Sequence, residues 1–296
     1  MANFAVQTMN LTRDFNDLRA VDDLNFNVPC GIIFGLLGPK GAGKTTTMRL
    51  LAGLLEASSG DARVLGYDMW NEGHKIRAAC GLVMEDKLSF DETRTAIDNL
   101  ELSASRDVMT KSTLYARIKE LLMQMNLWDQ RNQQVKDFGK CSRQKLAIAR
   151  ALLQRPQLLF LDEPTNELDP VEATNLRENL KSLAAYEGLT IFLNTCDPLE
   201  AEELCQQYAL LDSGKLLKLD NAAGQAEKIR LKIIGHNFNQ GLLSALRAYP
   251  EVLSVQKSVS DSNEYLLLQL TQPIDTALLV VTIVNAGGEI EQTLWQ

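Results

Sequence analysis

The chain has 296 residues, 45% of them hydrophobic and 23% charged, with a formal net charge of −8. That length and apolar content build one large domain plus a small one and exclude global disorder. The acidic balance excludes a nucleic-acid protein, which needs basic patches for phosphates, and gives no general attraction to an anionic lipid surface.

Residues 4–10 and 21–28 alternate apolar and polar side chains and predict two short strands. IIFGLL (32–37) is a buried run bounded by glycines and predicts a third. GPKGAGKT (38–45) follows it and matches GxxxxGK[ST]. Met48, Leu51, Leu54 and Leu55 then give residues 44–55 a helical spacing. The motif therefore lies between a strand and a helix, which is the context it requires. Gly38, Gly41 and Gly43, with Pro39, Lys40, Ala42 and Thr46 in the same turn, let backbone N–H groups converge on phosphate oxygens. The helix start adds its positive dipole end. Lys44 is placed to reach the β- and γ-phosphates of a nucleotide, and Thr45 to ligate Mg²⁺.

Segment 93–153 is mostly helical by its spacing. STLYARIKELLMQM (112–125) is the clearest case, with Leu114, Ile118, Leu121 and Met125 on one face and Ser112 as its expected N-cap. FGKCSRQKLAIAR (138–150) has a basic start followed by Leu146, Ile148 and Ala149 on an apolar side. QLLFLDEP (157–164) and LTIFLNT (189–195) predict buried strands at the carboxyl edge of a sheet. In LLFLDE, Asp162 emerges at the strand end to hold Mg²⁺ through water, and Glu163 is placed to polarise an attacking water. Strand, helix and strand in this order predict a parallel α/β core. SSG (58–60), DSG (212–214) and AGG (286–288) mark expected turns.

After about residue 222 the pattern changes. KIRLKIIG, GLLSALRAYP, VLSVQKSVS, EYLLLQL, DTALLVVTIVNAGG and EIEQTLWQ predict a βαββαβ order, a small α+β ferredoxin-like domain over 225–296, with a turn at Asp261–Asn263. NAAGQAEK (221–228) is the expected linker from the first domain, 1–222, whose helical subdomain covers about 93–150. The five cysteines, Cys30, Cys80, Cys141, Cys196 and Cys205, form no CxxC pair, which points away from zinc and toward a reducing compartment. The N-terminus lacks a signal-peptide pattern, and the longest apolar run, 276–286, is too short to span a bilayer. A role at a membrane would need another chain as anchor.

Residues 4–220 resemble the ATP-binding cassette ATPases, from the phosphate loop through RQKLAIARALLQRPQLLFLDEPTNELDP (143–170) to TIFLNTCDPLEAEELC (190–205). They are most similar to ATPase subunits of two-component exporters, which pair with a separate integral membrane permease and often carry a small C-terminal domain. The resemblance implies a P-loop nucleotide-binding domain with a mixed sheet core, ATP and Mg²⁺ as cofactors, and a cytoplasmic place on the inner face of the membrane. It implies that Phe15 stacks on adenine and that Asp169 lies in the loop meeting a second cassette across a dimer, homo- or heterodimeric, that sandwiches two ATPs. The helical segment 93–137 would touch the permease.

Three positions depart from the family pattern. The signature turn, Ser-Gly-Gly in the family, is Gly139-Lys140-Cys141 here, so a hydroxyl is missing and two glycines carry side chains. The switch histidine falls at Cys196, whose thiol is a weak donor. The magnesium-binding glutamine falls at Glu85. Lys40 replaces a common asparagine, a milder change. The expectation is an exporter ATPase of strongly reduced activity, with Glu163, Lys44 and the Cys196 position as its catalytic set. The alternative is a nucleotide-binding regulatory partner of another cassette. A soluble cassette of DNA repair or translation would need a long coiled coil or a second cassette in the same chain, and neither is present.

Overall fold

The structure, a computed structural model, describes residues 4–16, 18–84, 89–104, 110–166, 168–221, 229–247, 249, 252–260, 263–270 and 276–295. It divides into two compact units, 1–222 and 223–296. The first opens with β1 (Phe4–Phe15), β2 (Leu18–Leu24), β3 (Asn27–Pro29) and β4 (Ile33–Leu37). Next come α1 (Lys44–Leu51), β5 (Ser59–Val64), β6 (Tyr67–Asp68), α2 (Gly73–Ala79) and β7 (Cys80–Val83). Three helices follow, α3 (Ala96–Ser103), α4 (Lys111–Gln124) and α5 (Lys140–Leu152). β8 (Leu158–Asp162), α6 (Pro170–Glu187), β9 (Thr190–Thr195), α7 (Pro198–Leu204), β10 (Gln207–Asp212) and β11 (Lys215–Asn221) complete it.

The central sheet has the order β11-β10-β4-β9-β8-β7, parallel throughout except for the β10–β11 hairpin. Both of its faces are covered, so every residue of β8 and β9 is buried, and this is why those segments appear as continuous apolar runs. Leu159, Leu161, Ile191 and Leu193 pack toward the helical side with Ile118, Leu121 and Leu146. Phe34, Phe160 and Phe192 pack the other way, toward an antiparallel sheet of order β2-β1-β5-β6. There Phe26 stacks on Phe34 at 5.6 Å, and Phe34 meets Phe192 at 5.1 Å. Aromatic pairs of this kind contribute ~0.5–1.5 kcal/mol each beyond their burial.

Four local expectations need correction. The first strand runs to Phe15 rather than residue 10, and pairs with β2 in a hairpin with register shifts near Leu11–Arg13. SSG is not a turn: Gly60, at φ +80°, lies within β5, where a Cβ would stand 2.1 Å from the Asn10 carbonyl oxygen. The first helix stops at Leu51, and Leu54 is exposed. α4 is capped by Thr110, whose hydroxyl oxygen accepts the Thr113 N–H at 3.3 Å, so Ser112 lies inside the helix.

The second unit runs β12 (Ile229–His236), α8 (Gln240–Arg247), β13 (Val252–Ser260), β14 (Asn263–Leu270), α9 (Thr276–Asn285) and β15 (Glu289–Trp295). Its antiparallel sheet, β13-β14-β12-β15, has the ferredoxin-like order 2-3-1-4. Leu231, Ile233, Leu266 and Leu268 meet Leu242, Leu246, Leu279 and Ile283 of the helices in one core. Most of the expected linker and Asp261 of the expected turn lie outside the described residues.

Candidate functional site

The turn between β4 and α1 is shaped by its glycines. A Cβ at Gly38 would meet the Leu211 carbonyl oxygen at 2.2 Å, and one at Gly43 the Ala20 carbonyl oxygen at 2.3 Å. Gly43 also holds φ +100°, a conformation that L side chains resist. No side chain caps α1 and no acidic residue stands in its first turn. Its start is therefore a cradle of backbone N–H groups suited to an anion. Lys44 is buried, with 5% of its surface exposed. Its Nζ donates to the carbonyls of Gly38 at 2.7 Å and Pro39 at 3.1 Å, and stands 3.2 Å from Glu163 Oε1. These partners offset the cost of burying the charge.

The acidic edge is set by strand register, which places Asp162 at the end of β8 opposite Asn194 of β9. The Thr45 hydroxyl donates to Asp162 Oδ2 at 2.9 Å, joining the turn to the acidic strand. Asn194 Nδ2 donates to Asp162 Oδ1 at 2.8 Å. Glu163 follows at φ +47°, a left-handed conformation that costs on the order of 1 kcal/mol or more in a residue other than glycine. It is held there on three sides. Its N–H donates to the Asn194 carbonyl at 3.0 Å, its Oε2 accepts the Cys196 N–H at 3.0 Å, and its Oε1 faces Lys44. A hydroxyl and a carboxylate in mutual reach form a hard oxygen donor pair, and that pair fits Mg²⁺, which is held by one or two carboxylates plus phosphates and waters.

Cys196 is exposed at the end of β9. Partial desolvation of the sulfur holds its thiol above the ordinary range, although the residue as a whole is exposed, and the Glu163 carboxylate beside it pushes the same way. Behind it, Glu200 of α7 is 1% exposed and accepts the Thr165 hydroxyl at 2.7 Å. Desolvation raises its carboxyl, against the bonds from Thr195 and Thr165 that favour the charged form.

An open groove of about 620 Å³ runs beside the phosphate turn, lined by Phe15, Leu18, Ala20, Lys40, Thr46 and Glu163 among others. Arg13 stacks its guanidinium 4.5 Å from the Phe15 ring centre, and the ring keeps 39% exposure on the groove side of the hairpin. Gly38, Pro39, Lys40, Gly41, Ala42, Gly43, Lys44, Thr45 and Thr46 thus form one loop and helix start, joined to Asp162, Glu163 and Cys196.

Gly139, Lys140, Cys141 and Asp169 do not line this groove. Gly139 is the N-cap of α5 without a side-chain cap, and Lys140 and Cys141 are its first two residues. Cys141 is buried, which raises its thiol, with Lys145 opposing. Asp169 caps α6, accepting the N–H groups of Val171 at 3.0 Å and Glu172 at 2.9 Å. Glu85 lies outside the described residues. Asn194 and Glu200 were missed by sequence reasoning. Asn194 had a signal, the lone amide in an apolar strand, whereas Glu200 sits in an acidic run, PLEAEE, that looks like solvated surface.

Comparison with known proteins gives a consistent picture. Residues 21–166 match the family model described as ABC transporter. The daunorubicin/doxorubicin resistance ATP-binding protein DrrA of Streptomyces peucetius is 36% identical over 213 residues, covering 72% of this chain and 64% of the relative, so the chain spans less than two thirds of it. The bacitracin transport ATP-binding protein BcrA of Bacillus licheniformis is 37% identical, covering 72% of this chain and 68% of the relative. A Nod factor export ATP-binding protein I of Cupriavidus pinatubonensis is 36% identical over 71% of this chain and 64% of its own length. Among solved structures, cbiO1 from Clostridium perfringens, part of the ABC transporter complex cbiONQ, superposes with a TM-score of 0.69 at 21% identity, over 75% of this chain and 90% of that one. An ATP binding subunit of an ABC transporter superposes with a TM-score of 0.65 at 26% identity, over 74% and 91%.

Proposed function

The chain belongs to the ABC transporter ATP-binding family, and from that premise we propose that it is the ATP-binding and ATP-hydrolysing subunit of an exporter. The observation that carries the reading is the convergence of Lys44, Thr45, Asp162 and Glu163 on one glycine-shaped turn. The triphosphate lies against the backbone N–H groups of residues 39–45, with the base reaching along the groove toward Phe15. Lys44 leaves Glu163 for the β- and γ-phosphates, since an anion of higher charge enters its reach. Glu163 is then free to accept a proton from a water as that water attacks the γ-phosphorus and the bond to the β-phosphate oxygen breaks. Thr45 and Asp162 would hold Mg²⁺, which would neutralise charge on the phosphates. The products are ADP and phosphate.

In this reading a permease supplies the path through the membrane; no helix among the described residues is long and apolar enough to cross one. The chain then sits on the inner face of the membrane, with the subdomain α3–α5 as the contact. Relatives named for drug resistance, bacitracin transport and Nod factor export support an export role. Turnover is weak in this reading, because Gly139, Lys140, Cys141 and the Cys196 thiol offer the γ-phosphate few donors. That same weakness favours a second reading, in which the chain binds ATP and pairs with a more active cassette.

Lys44→Ala tests the site. Titration of a fluorescent ATP analogue with Mg²⁺ should give micromolar to sub-millimolar affinity for the wild type and none for the variant. Unchanged affinity would refute the assignment. Steady-state ATPase measurement on the purified chain, with and without its membrane partner, separates the two readings.

A further inference from the structure

Asn194 stands out among the buried polar side chains. It is 0% exposed, in a strand whose other central residues, Ile191, Phe192 and Leu193, are apolar. An amide in that setting costs free energy unless it is hydrogen-bonded. Its Nδ2 donates to Asp162 Oδ1 at 2.8 Å and also lies 3.8 Å from Met48 Sδ. Its Oδ1 is buried and takes no hydrogen bond among the described residues. An unsatisfied buried acceptor is destabilising, so packing alone gives no reason for an amide here.

The gain appears on the other side of Asp162. The Thr45 hydroxyl approaches Oδ2 at 2.9 Å and Oδ1 at 3.2 Å, so both carboxylate oxygens already have a neighbour. With Oδ1 tied to the Asn194 amide, the carboxylate plane is fixed by strand register rather than left to rotate at a strand end. The Asn194 carbonyl also accepts the Glu163 N–H at 3.0 Å, so one residue orients both acids, one through its side chain and one through its backbone.

We propose that Asn194 is a positioning residue for the divalent cation: its amide orients the Asp162 carboxylate toward Thr45 and thereby sets how tightly the metal–nucleotide complex is held. The inference rests on the reading of Thr45 and Asp162 as the cation's protein donors. Partners that orient a metal's carboxylate typically change affinity by about 10–100-fold when removed.

The test uses the full chain, Mn²⁺ as the spectroscopic substitute for Mg²⁺, and a fluorescent ATP analogue. Asn194→Leu keeps the branched side-chain shape, at the cost of two bulkier methyl groups, and removes the donor. Mn²⁺ affinity of the nucleotide-loaded protein, read by the free-Mn²⁺ resonance signal, should fall about 10–100-fold. Affinity for the nucleotide in excess chelator should stay within about twofold, because Lys44 and the glycine turn are untouched. The melting temperature should change little, because removing the orphan Oδ1 offsets the lost bond to Asp162. Asn194→Asp, which puts a second carboxyl beside Asp162, serves as the second variant. It should also weaken Mn²⁺ if orientation matters, and tighten it if negative charge near the cation is all that counts. Unchanged Mn²⁺ affinity in Asn194→Leu overturns the inference, as does a loss of Mn²⁺ binding that merely tracks a lower melting temperature and a lost metal-free affinity. A wild type that binds nucleotide but shows no nucleotide-dependent Mn²⁺ binding would instead overturn the metal site on which the inference rests.

Discussion

Restoring the signature turn and the switch position together, by Gly139→Ser, Lys140→Gly, Cys141→Gly and Cys196→His, should move activity and stability in opposite directions. A Cβ at Gly139 meets nothing within 4 Å, and Gly139 is the N-cap of α5 with no capping side chain, so a serine fits and adds a few tenths of a kcal/mol. Lys140 and Cys141 are the first two residues of that helix, where each glycine costs up to ~1 kcal/mol in helix propensity. Cys141 is also 7% exposed, so losing its sulfur gives up some burial. The sum is a loss of about 1–2 kcal/mol, which lowers the melting temperature by about 3–6 °C in a domain of this size. Cys196 is exposed, so a histidine there meets no packing barrier. Each recovered donor to the γ-phosphate is worth ~10²–10³ in rate, and such gains do not add simply, so the fourfold variant should hydrolyse ATP at least ~10² faster. Phosphate release and thermal melting measured on the same preparation check both signs. A folded variant with the wild-type rate, or a wild type already turning over near ~10 s⁻¹, refutes the reasoning.

Glu200→Gln should change the pH dependence of stability. Burial holds the Glu200 carboxyl above its ordinary range, so its favourable contribution is complete below ~4.3, the unfolded value, and is lost as pH rises through the folded value. The melting temperature of the variant relative to wild type should therefore increase from pH 4 to pH 8; a constant difference would show that Thr165, Thr195 and the nearby Arg177 already compensate the charge, against the repulsion from Asp197. Cys196 should alkylate more slowly than a free peptide thiol at pH 7.5 and faster as pH rises, since burial and Glu163 both disfavour the thiolate. Glu163→Gln should accelerate that reaction, and alkylation at the free-thiol rate in the wild type would refute the microenvironment.

The parts of the fold legible in the sequence are those whose signal is local. β8 and β9 were legible because both sheet faces bury them, and the phosphate turn because strand, glycines and helix follow one another without a gap. The β1–β2 hairpin was cut short because Asn10 and Asn16 adopt positive φ and register shifts break the alternation that marks a strand. Thr110 and Ser112 compete for one cap, and only the backbone geometry decides between them. The site was legible where a motif names the residue, as for Lys44, Thr45, Asp162 and Glu163. Asn194 and Glu200 were not, because their meaning comes from partners 32 and 35 residues away, brought near by parallel pairing and by the packing of α7. An asparagine in a strand and a glutamate in an acidic helix carry no sign of that in their own neighbourhood.

The departures also differ in what they leave standing. Glu163 is held by the backbone N–H of Cys196, and that bond is indifferent to the side chain at 196. In the proposed mechanism the thiol in place of an imidazole would remove a donor to phosphate and leave Glu163 in place. The changes at Gly139–Cys141 sit on a different helix start and act, in a sandwich of two cassettes, on the nucleotide bound by the partner. In a homodimer both sites would carry both losses, and the penalties would fall on the same phosphate. Paired with a complete cassette, each site would carry only one: this chain's phosphate turn would meet an intact signature turn, and its altered helix start would meet an intact switch. With ~10²–10³ lost per missing donor, each site of the mixed pair would still be slowed, but by one loss where each site of the homodimer carries two. Were the natural dimer a mixed one, the losses would be divided between its two sites.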